Sequence, residues 1–438
     1  MIKKIAALSL GPLIIKVLGT AVAFMLSVAL ARTLGVVEFG AYSLVVSAVM
    51  VLAIPIQSGL PILAVREVSR AHSQDRAGPI HAFVGWSNRI VLGYFLLVVM
   101  LAVLFWQIFP QDTFARNLLI ALISVATISV TLRDSAVLRG LGHFMKGTAP
   151  DVLVRPAAQL AAFGALVFAT GRMTERAPLA LSTFVFASAL ACLMSFFWRR
   201  AAVPKGDPAG ELVDRASVEP WRKAAVLLTV VGGGQILFGH IDTLMLGIFA
   251  SDAEVGAYRV AVQLSMLVIF ALTVVNQVLQ PKISELYAQR DMDAMQTLLT
   301  NTSFLMFLGT LVPAFIAAVI APQVLEFVFG ADYRIASTAL QILIMGQAIN
   351  VMFGSVGTIL NMTGLENLAM RGMVIAIVIN LGLDVLLIPL LGLSGAALAS
   401  ALTITIWNAI LRYYVKDRLG IESSGVIAYS YRLRTRFR

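Results

Sequence analysis

Apolar residues fall in long blocks along this chain, separated by short breaks that carry charge, Gly or Pro. A run of about 20 apolar residues is long enough to cross the hydrocarbon core of a bilayer as a helix. Cutting the chain at the breaks predicts twelve such spans, at 8–31, 39–63, 82–108, 117–138, 149–170, 177–198, 223–249, 255–279, 298–320, 335–360, 370–391 and 393–414. Most connections are short. The exception, 199–222, holds Arg199, Arg200, Lys205, Arg215 and Arg222 among Pro and Gly, and it leaves six spans on either side. The expected fold class is therefore all-α, a polytopic membrane protein with about 12 transmembrane helices in two six-helix lobes. The lobes run over 1–200 and 223–415, with an inter-lobe loop at 201–222 and a basic tail at 416–438.

A repeat supports that division. Leu34-Gly35 followed by Glu38-Phe39-Gly40-Ala41-Tyr42 recurs as Leu246-Gly247 followed by Glu254-Val255-Gly256-Ala257-Tyr258, with the two Glu-X-Gly-Ala-Tyr copies 216 positions apart. Pro61 matches Pro281, and Leu138-Arg139-Gly140-Leu141-Gly142 matches Leu360-Asn361-Met362-Thr363-Gly364, at offsets of 220 and 222. Matches in register at half the chain length indicate a duplicated unit. An even number of spans per unit makes the repeat parallel. Both Gly-Ala-Tyr copies fall at the turns into spans 2 and 8, where Tyr42 and Tyr258 are expected in the interfacial aromatic belt.

Composition agrees with a membrane protein: 59% of residues are hydrophobic and 13% charged, with mean hydropathy +0.89. The net charge of +10 does not indicate nucleic-acid binding, because no segment is long enough to fold a basic soluble domain. It indicates orientation. With the N-terminus inside, about 24 Lys and Arg fall on inner segments, the tail's Arg432, Arg434, Arg436 and Arg438 among them, against about five outside. Both termini are thus expected in the cytoplasm of a bacterial inner-membrane protein. Lys3 and Lys4 precede an apolar run of roughly 25 residues, longer than a signal peptide's core, so the run is read as a retained span. Cys192 is the only cysteine and the four histidines are scattered, so neither a disulfide within the chain nor a metal site is expected, and no cofactor.

Several motifs resemble the oligosaccharidyl-lipid flippases of the multidrug/oligosaccharidyl-lipid/polysaccharide exporter superfamily, the O-antigen-type polysaccharide transporters. They are Ala31-Arg32-Thr33-Leu34-Gly35, Phe39-Gly40-Ala41-Tyr42 and Leu138-Arg139-Gly140-Leu141-Gly142 in the first half. In the second they are Asp242-Thr243-Leu244-Met245-Leu246-Gly247, Val255-Gly256-Ala257-Tyr258, Pro281-Lys282-Ile283-Ser284, Phe329-Gly330-Ala331-Asp332-Tyr333 and Pro389-Leu390-Leu391-Gly392-Leu393-Ser394-Gly395-Ala396-Ala397. The resemblance implies a MATE-like fold with a V-shaped cavity opening alternately to each side. It also implies translocation of a polyprenyl-diphosphate-linked oligosaccharide for surface-polysaccharide assembly, with polysaccharide polymerase machinery as a partner.

Charged groups inside spans are costly and mark candidate sites. Lys16, Arg89 and Arg155 lie roughly 8–14 Å from the inner ends of spans 1, 3 and 5, with no carboxylate expected beside them. Such cations suit a diphosphate, and the competing reading is snorkelling to the headgroups. Arg259 is either an outer phosphate contact or a structural partner of Asp242. Asp384 is the candidate for proton or cation coupling, unless it only hydrogen-bonds Asn380 one turn earlier. Gln235 and Asn276 are candidate sugar contacts, although such residues more often join helices. Gly232, Gly233 and Gly234 form either a gating hinge or a close-packing surface. A drug/cation antiporter would need a coupling carboxylate, often in the first half, where the spans offer only Asp134 beside Arg133. A flippase for the peptidoglycan precursor remains a second alternative. An enzyme would need acid–base groups on sizeable outer loops, which the short connections do not supply.

Overall fold

The computed structural model describes residues 2–74, 76–170, 176–204 and 215–427, which fold almost entirely into helices. In chain order these are α1 (Ile2–Gln57), α2 (Gly59–Ser73), α3 (Gly78–Ile108), α4 (Thr113–Ala121), α5 (Ile123–Gly140), α6 (Arg155–Thr170), α7 (Arg176–Ala202) and α8 (Arg215–Phe249). There follow α9 (Asp252–Ala288), α10 (Met292–Val319), α11 (Ala321–Phe329), α12 (Ser337–Phe353), α13 (Val356–Met362), α14 (Glu366–Leu391) and α15 (Leu393–Leu419). A π-helical turn, Pro150–Val154, precedes α6, and a 3-10 turn, Ala331–Ala336, precedes α12. Part of the expected inter-lobe loop, 205–214, and the tail from 428 onward lie outside the described residues.

Eleven described segments are long and apolar enough to cross a membrane. The first, Ile14–Ser73, has 60 residues. As one straight helix it would measure about 90 Å, three times a hydrocarbon core of about 30 Å. Its helical geometry breaks at Gly35, where φ is 79° and ψ 170°, a conformation that strains any residue with a side chain. Divided there, the segment supplies two spans, and the sequence count of twelve is recovered. All-α polytopic architecture is thus the observed fold.

The chain forms two compact units, Met1–His240 and Ile241–Arg438. In the first, Leu63, Val68, Ile80, Phe83, Val137 and Trp221 share a core, with Phe83 edge-on to Trp221 at 5.5 Å. Most of α8 belongs to this unit because small residues let it lie against the second arm of α1 and the start of α2. A Cβ on Gly59 would meet the Ala225 carbonyl at 2.3 Å, and one on Gly233 would meet Ile54 at 2.5 Å. Thr229 donates to the Pro55 carbonyl, and His240 Nδ1 lies 3.1 Å from Ser47 Oγ. Apolar side chains gain little by leaving lipid, so close backbone approach and interhelical hydrogen bonds hold such helices together.

In the second unit Leu279, Ile283, Met295, Leu299, Ile359, Leu411 and Ile421 form a core. Ile421 comes from the segment expected as tail. After α15 ends at Gly420, Glu422 pairs with Arg412 through two bonds of 2.7 and 2.5 Å and exchanges bonds with the Gln296 amide. Gly425 then donates to Ser303 Oγ at 2.7 Å. Residues 421–425 are therefore packed as part of the bundle.

The duplication is visible in hydrogen bonds. Glu38 Oε2 accepts from the Ala177 amide at 2.8 Å, at the start of α7, and Glu254 Oε1 accepts from the Leu393 amide at 3.2 Å, at the start of α15. Glu254 also completes a capping box with Ser251. Two helix ends repeat as well. His143 donates to the Leu138 carbonyl and Leu365 to the Leu360 carbonyl, both at 2.9 Å, with Gly142 and Gly364 at φ 83° and 77°. This six-to-one bond around a left-handed glycine closes the helix.

One expectation is overturned. Tyr42 and Tyr258 are not belt residues but internal ones, 7% and 1% exposed. Tyr42 Oη accepts from Gln159 Nε2 at 2.7 Å, and Tyr258 donates to Asp242. A phenol buried on an apolar helix needs a partner, and here each finds one inside its own unit.

The paired carboxylates give a stability test. Glu38→Ala and Glu254→Ala each leave a helix-starting N–H without its acceptor, so each is expected to cost about 1–3 kcal/mol. Thermal unfolding of the purified protein in detergent should fall for both variants and further for the double substitution.

Candidate functional site

The densest polar cluster buried in the second unit surrounds Asp242, near the end of α8. Asp242 Oδ2 accepts from Tyr258 Oη on α9 and from Ser400 Oγ on α15. Asp384 and Asn380, one turn apart on α14, lie against the same carboxylate, and both are 0% exposed. Neither oxygen of Asp384 and neither polar atom of the Asn380 side chain completes a well-aligned hydrogen bond among the described residues. Four helices thus bring two carboxylates, an amide and two hydroxyls into one enclosed space. Asp384 does not simply bond to Asn380. Arg259, half-buried, is the next residue after Tyr258 on α9.

The first unit holds a second buried polar cluster, and its charges balance differently. Arg133, 1% exposed, and Asp134, 0% exposed, sit side by side on α5. The Arg133 guanidinium reaches Asp134 Oδ1 at 2.7 Å, and Arg199 Nε from α7 reaches the same oxygen at 2.9 Å. Arg133 Nη1 also donates to Ser87 Oγ at 3.1 Å and to Asn88 Oδ1, both on α3. Arg199 lies over the Phe196 ring, 5.1 Å from its centroid. Breaking a buried ion pair of this kind costs several kcal/mol, because one charge is left without compensation. Asp134 is therefore committed to two arginines.

The cations expected to bind diphosphate differ in their immediate surroundings. Lys16 on α1 and Arg89 on α3 are exposed, and among the described residues neither side chain makes an ion pair. Arg155 departs from expectation. It pairs with Asp151 at 2.8 Å, because the two lie four residues apart across the junction of the π-helical turn with α6 and so share a face. The expected absence of a neighbouring carboxylate therefore fails for Arg155.

Of the weaker candidates, Gln235 is exposed on α8, whereas Asn276 Oδ1 on α9 accepts from Ser355 Oγ and so joins helices. Gly232, Gly233 and Gly234 sit within a continuous helix, and a Cβ on Gly232 or Gly233 would meet Ser58 or Ile54. What sequence reasoning missed is the joint role of Arg133, Asp134 and Arg199. The signal was there: Arg133-Asp134 interrupts an apolar span with adjacent opposite charges, and charges inside a span need partners. Their shared connection to Asn88, 45 positions away, was not readable.

Comparison with known proteins sets these features in a family. A sequence profile described as polysaccharide biosynthesis protein matches residues 2–287, and a MatE profile matches residues 233–386. The chain is 28% identical over 193 residues, 43% of its length, to the probable low-salt glycan biosynthesis flippase Agl15 of Haloferax volcanii. It is 28% identical over 177 residues, 40% of its length, to the probable flippase AglR of the same organism. These matches span 40% and 37% of the relatives' own lengths. Among solved structures, an inward-facing multidrug resistance MATE family transporter of the MOP superfamily superposes with a TM-score of 0.74 at 12% identity, covering 92% of this chain and 94% of that one. The lipid II flippase MurJ in an inward closed conformation gives 0.74 at 14% identity, covering 94% of this chain and 87% of that one. The fold is thus that of the MATE transporters. With well over half of its residues matched by one profile, the chain belongs to the polysaccharide biosynthesis protein family, within the multidrug/oligosaccharidyl-lipid/polysaccharide exporter superfamily.

Proposed function

We propose that this protein is a flippase that carries a polyprenyl-diphosphate-linked oligosaccharide across the cytoplasmic membrane by alternating access of its two six-helix lobes. The observation that carries the reading is the pair of exposed cations within spans, Lys16 and Arg89, which have no carboxylate partner among the described residues of a chain from this family. An unpaired cation inside a span is costly, and a ligand that brings its own negative charge offsets that cost. Diphosphate oxygens accept bidentate bonds from Arg and a point-charge contact from Lys. Arg259, half-buried, serves as a contact on the opposite side. Arg155 contributes less, because Asp151 already neutralises it. Gln235 is the sugar contact that stays free to act, being exposed, whereas Asn276 is occupied by Ser355. Gly232–Gly234 would act by parting from Ser58 and Ile54 as the helices move.

Asp242 and Asp384 are the coupling pair in this reading. Two carboxylates enclosed together need a proton or a cation between them, and release of that ion changes the packing of four helices. The drug antiporter is the weaker alternative, since Asp134, toward the end of span 4 in the first half, is bound by Arg133 and Arg199. The similarity to a flippase described for glycan biosynthesis supports a glycan-linked cargo rather than a drug.

Two outcomes test these roles. Reconstituted vesicles should translocate a fluorescent lipid-linked oligosaccharide, and the double variant Lys16→Glu/Arg89→Glu should lose at least about 100-fold of the rate, by losing two charge-assisted contacts. Full activity in that variant would sink the diphosphate reading. Asp242→Asn and Asp384→Asn should each leave headgroup binding intact while abolishing the response of transport to an imposed proton or sodium gradient. Unaltered gradient dependence would remove the pair from coupling.

A further inference from the structure

On α3 the residues Gly85, Asn88, Arg89, Leu92, Leu96 and Met100 recur at three- and four-residue spacing and share one exposed face. The face is polar only toward the Gly78 end. Beyond Arg89 it is apolar, with Leu92, Leu96 and Met100 each more than half exposed. Underneath lies buried Arg133, whose Nη1 donates to Asn88 Oδ1. An arginine has no acceptor, so the atom it faces must be the amide oxygen. The Asn88 NH2 group is therefore turned away from Arg133, toward the exposed side, and it has no partner among the described residues. The next residue, Arg89, is exposed on the same face and carries another group that can only donate. Beneath both, two arginines share one aspartate, so the buried cluster keeps a net positive charge.

We propose that Asn88 is a further headgroup-binding residue, donating to phosphate oxygens beside Arg89, and that Arg133 is its positioning residue. The occupant is a prenyl-diphosphate lipid, with its chain lying along Leu92, Leu96 and Met100. This assignment rests on the flippase reading for its choice of lipid. Two adjacent donor groups fit two linked phosphates, and the residual positive charge below them favours a diphosphate over the single negative charge of an ordinary phospholipid. Free N–H groups within a span are expensive without an acceptor, and a phosphate supplies one. Arg133 never touches the lipid. It captures the amide oxygen and so leaves Asn88 as a pure donor.

The test measures binding of farnesyl diphosphate to the purified full-length protein in detergent, with farnesol and phosphatidylglycerol as comparison ligands. The wild type should bind farnesyl diphosphate, with farnesol and phosphatidylglycerol failing to displace it. Asn88→Ala should weaken binding about tenfold or more, as expected for one bond to a charged acceptor. Arg133→Lys keeps the charge but loses the fork, and should weaken binding similarly in the wild type and hardly further in the Asn88→Ala background. Wild-type affinity in Asn88→Ala overturns the proposal, as does a wild type that does not bind the probe. An Arg133→Lys effect that persists undiminished in the Asn88→Ala background makes Arg133 merely structural. Equal displacement by phosphatidylglycerol reassigns the face to bulk phospholipid. Should Arg133→Lys not fold, Asn88→Ala and Asn88→Ser on the exposed face still decide whether the amide binds. Translocation is scored separately in wild-type vesicles, so its absence would refute the flippase reading without altering the measured dependence of binding on Asn88.

Discussion

A carboxylate at the turn after the first span of each half ties that turn to the start of the half's last helix. Glu38 holds the Ala177 amide and Glu254 the Leu393 amide, and each pair is separated by the same 139 residues. The first N–H groups of a helix have no partner of their own, and a carboxylate there also meets the positive end of the helix dipole. One contact per half thus joins the half's first turn to its last helix. Gly392 is part of the device: a Cβ there would meet Glu254 Oε1 at 2.2 Å, and its φ of 56° already excludes most side chains.

Around those fixed ends, the two halves have spent their buried polar groups differently. Tyr42 and Tyr258 occupy matching places, yet Tyr42 meets a neutral Gln159 while Tyr258 meets the Asp242 carboxylate. In the first unit Asp134, toward the end of α5, is shared by two arginines, which leaves positive charge over. In the second unit two carboxyl groups are enclosed together with two hydroxyls and an amide. Duplication supplied the frame, and divergence gave the two halves different buried polar clusters.

Much of the frame was legible before any coordinates. Twelve apolar runs, the half-chain repeat and its glycines at helix ends all follow from the need to satisfy backbone groups within the hydrocarbon. The motifs Leu138–Gly142 and Leu360–Gly364 do end their helices in the same way. Less was legible of the site. Asp384 was visible as a charge inside a span, but its company of Asp242, Tyr258 and Ser400 was not, since those residues lie on other helices. Arg155 was misjudged because its depth was considered without its helical neighbours, and Asp151, four residues earlier in the same span, shares its face. The two tyrosines were misplaced for a related reason: amphipathic rings suit the interface as well as an internal hydrogen bond, and the sequence does not say which way a helix face turns.

The sequence by itself determined the membrane class, the number of spans, the duplication and which residues bear charge within spans. These depend on one-dimensional quantities, namely run length, spacing and composition. Tertiary structure alone decided which charges are neutralised and which remain free, because partners such as Asn88 with Arg133, Arg199 with Asp134, or Asp242 with Ser400 are set by how separate helices pack. Inside a membrane that pairing decides function, since a charge already satisfied within the bundle has little left to offer a ligand.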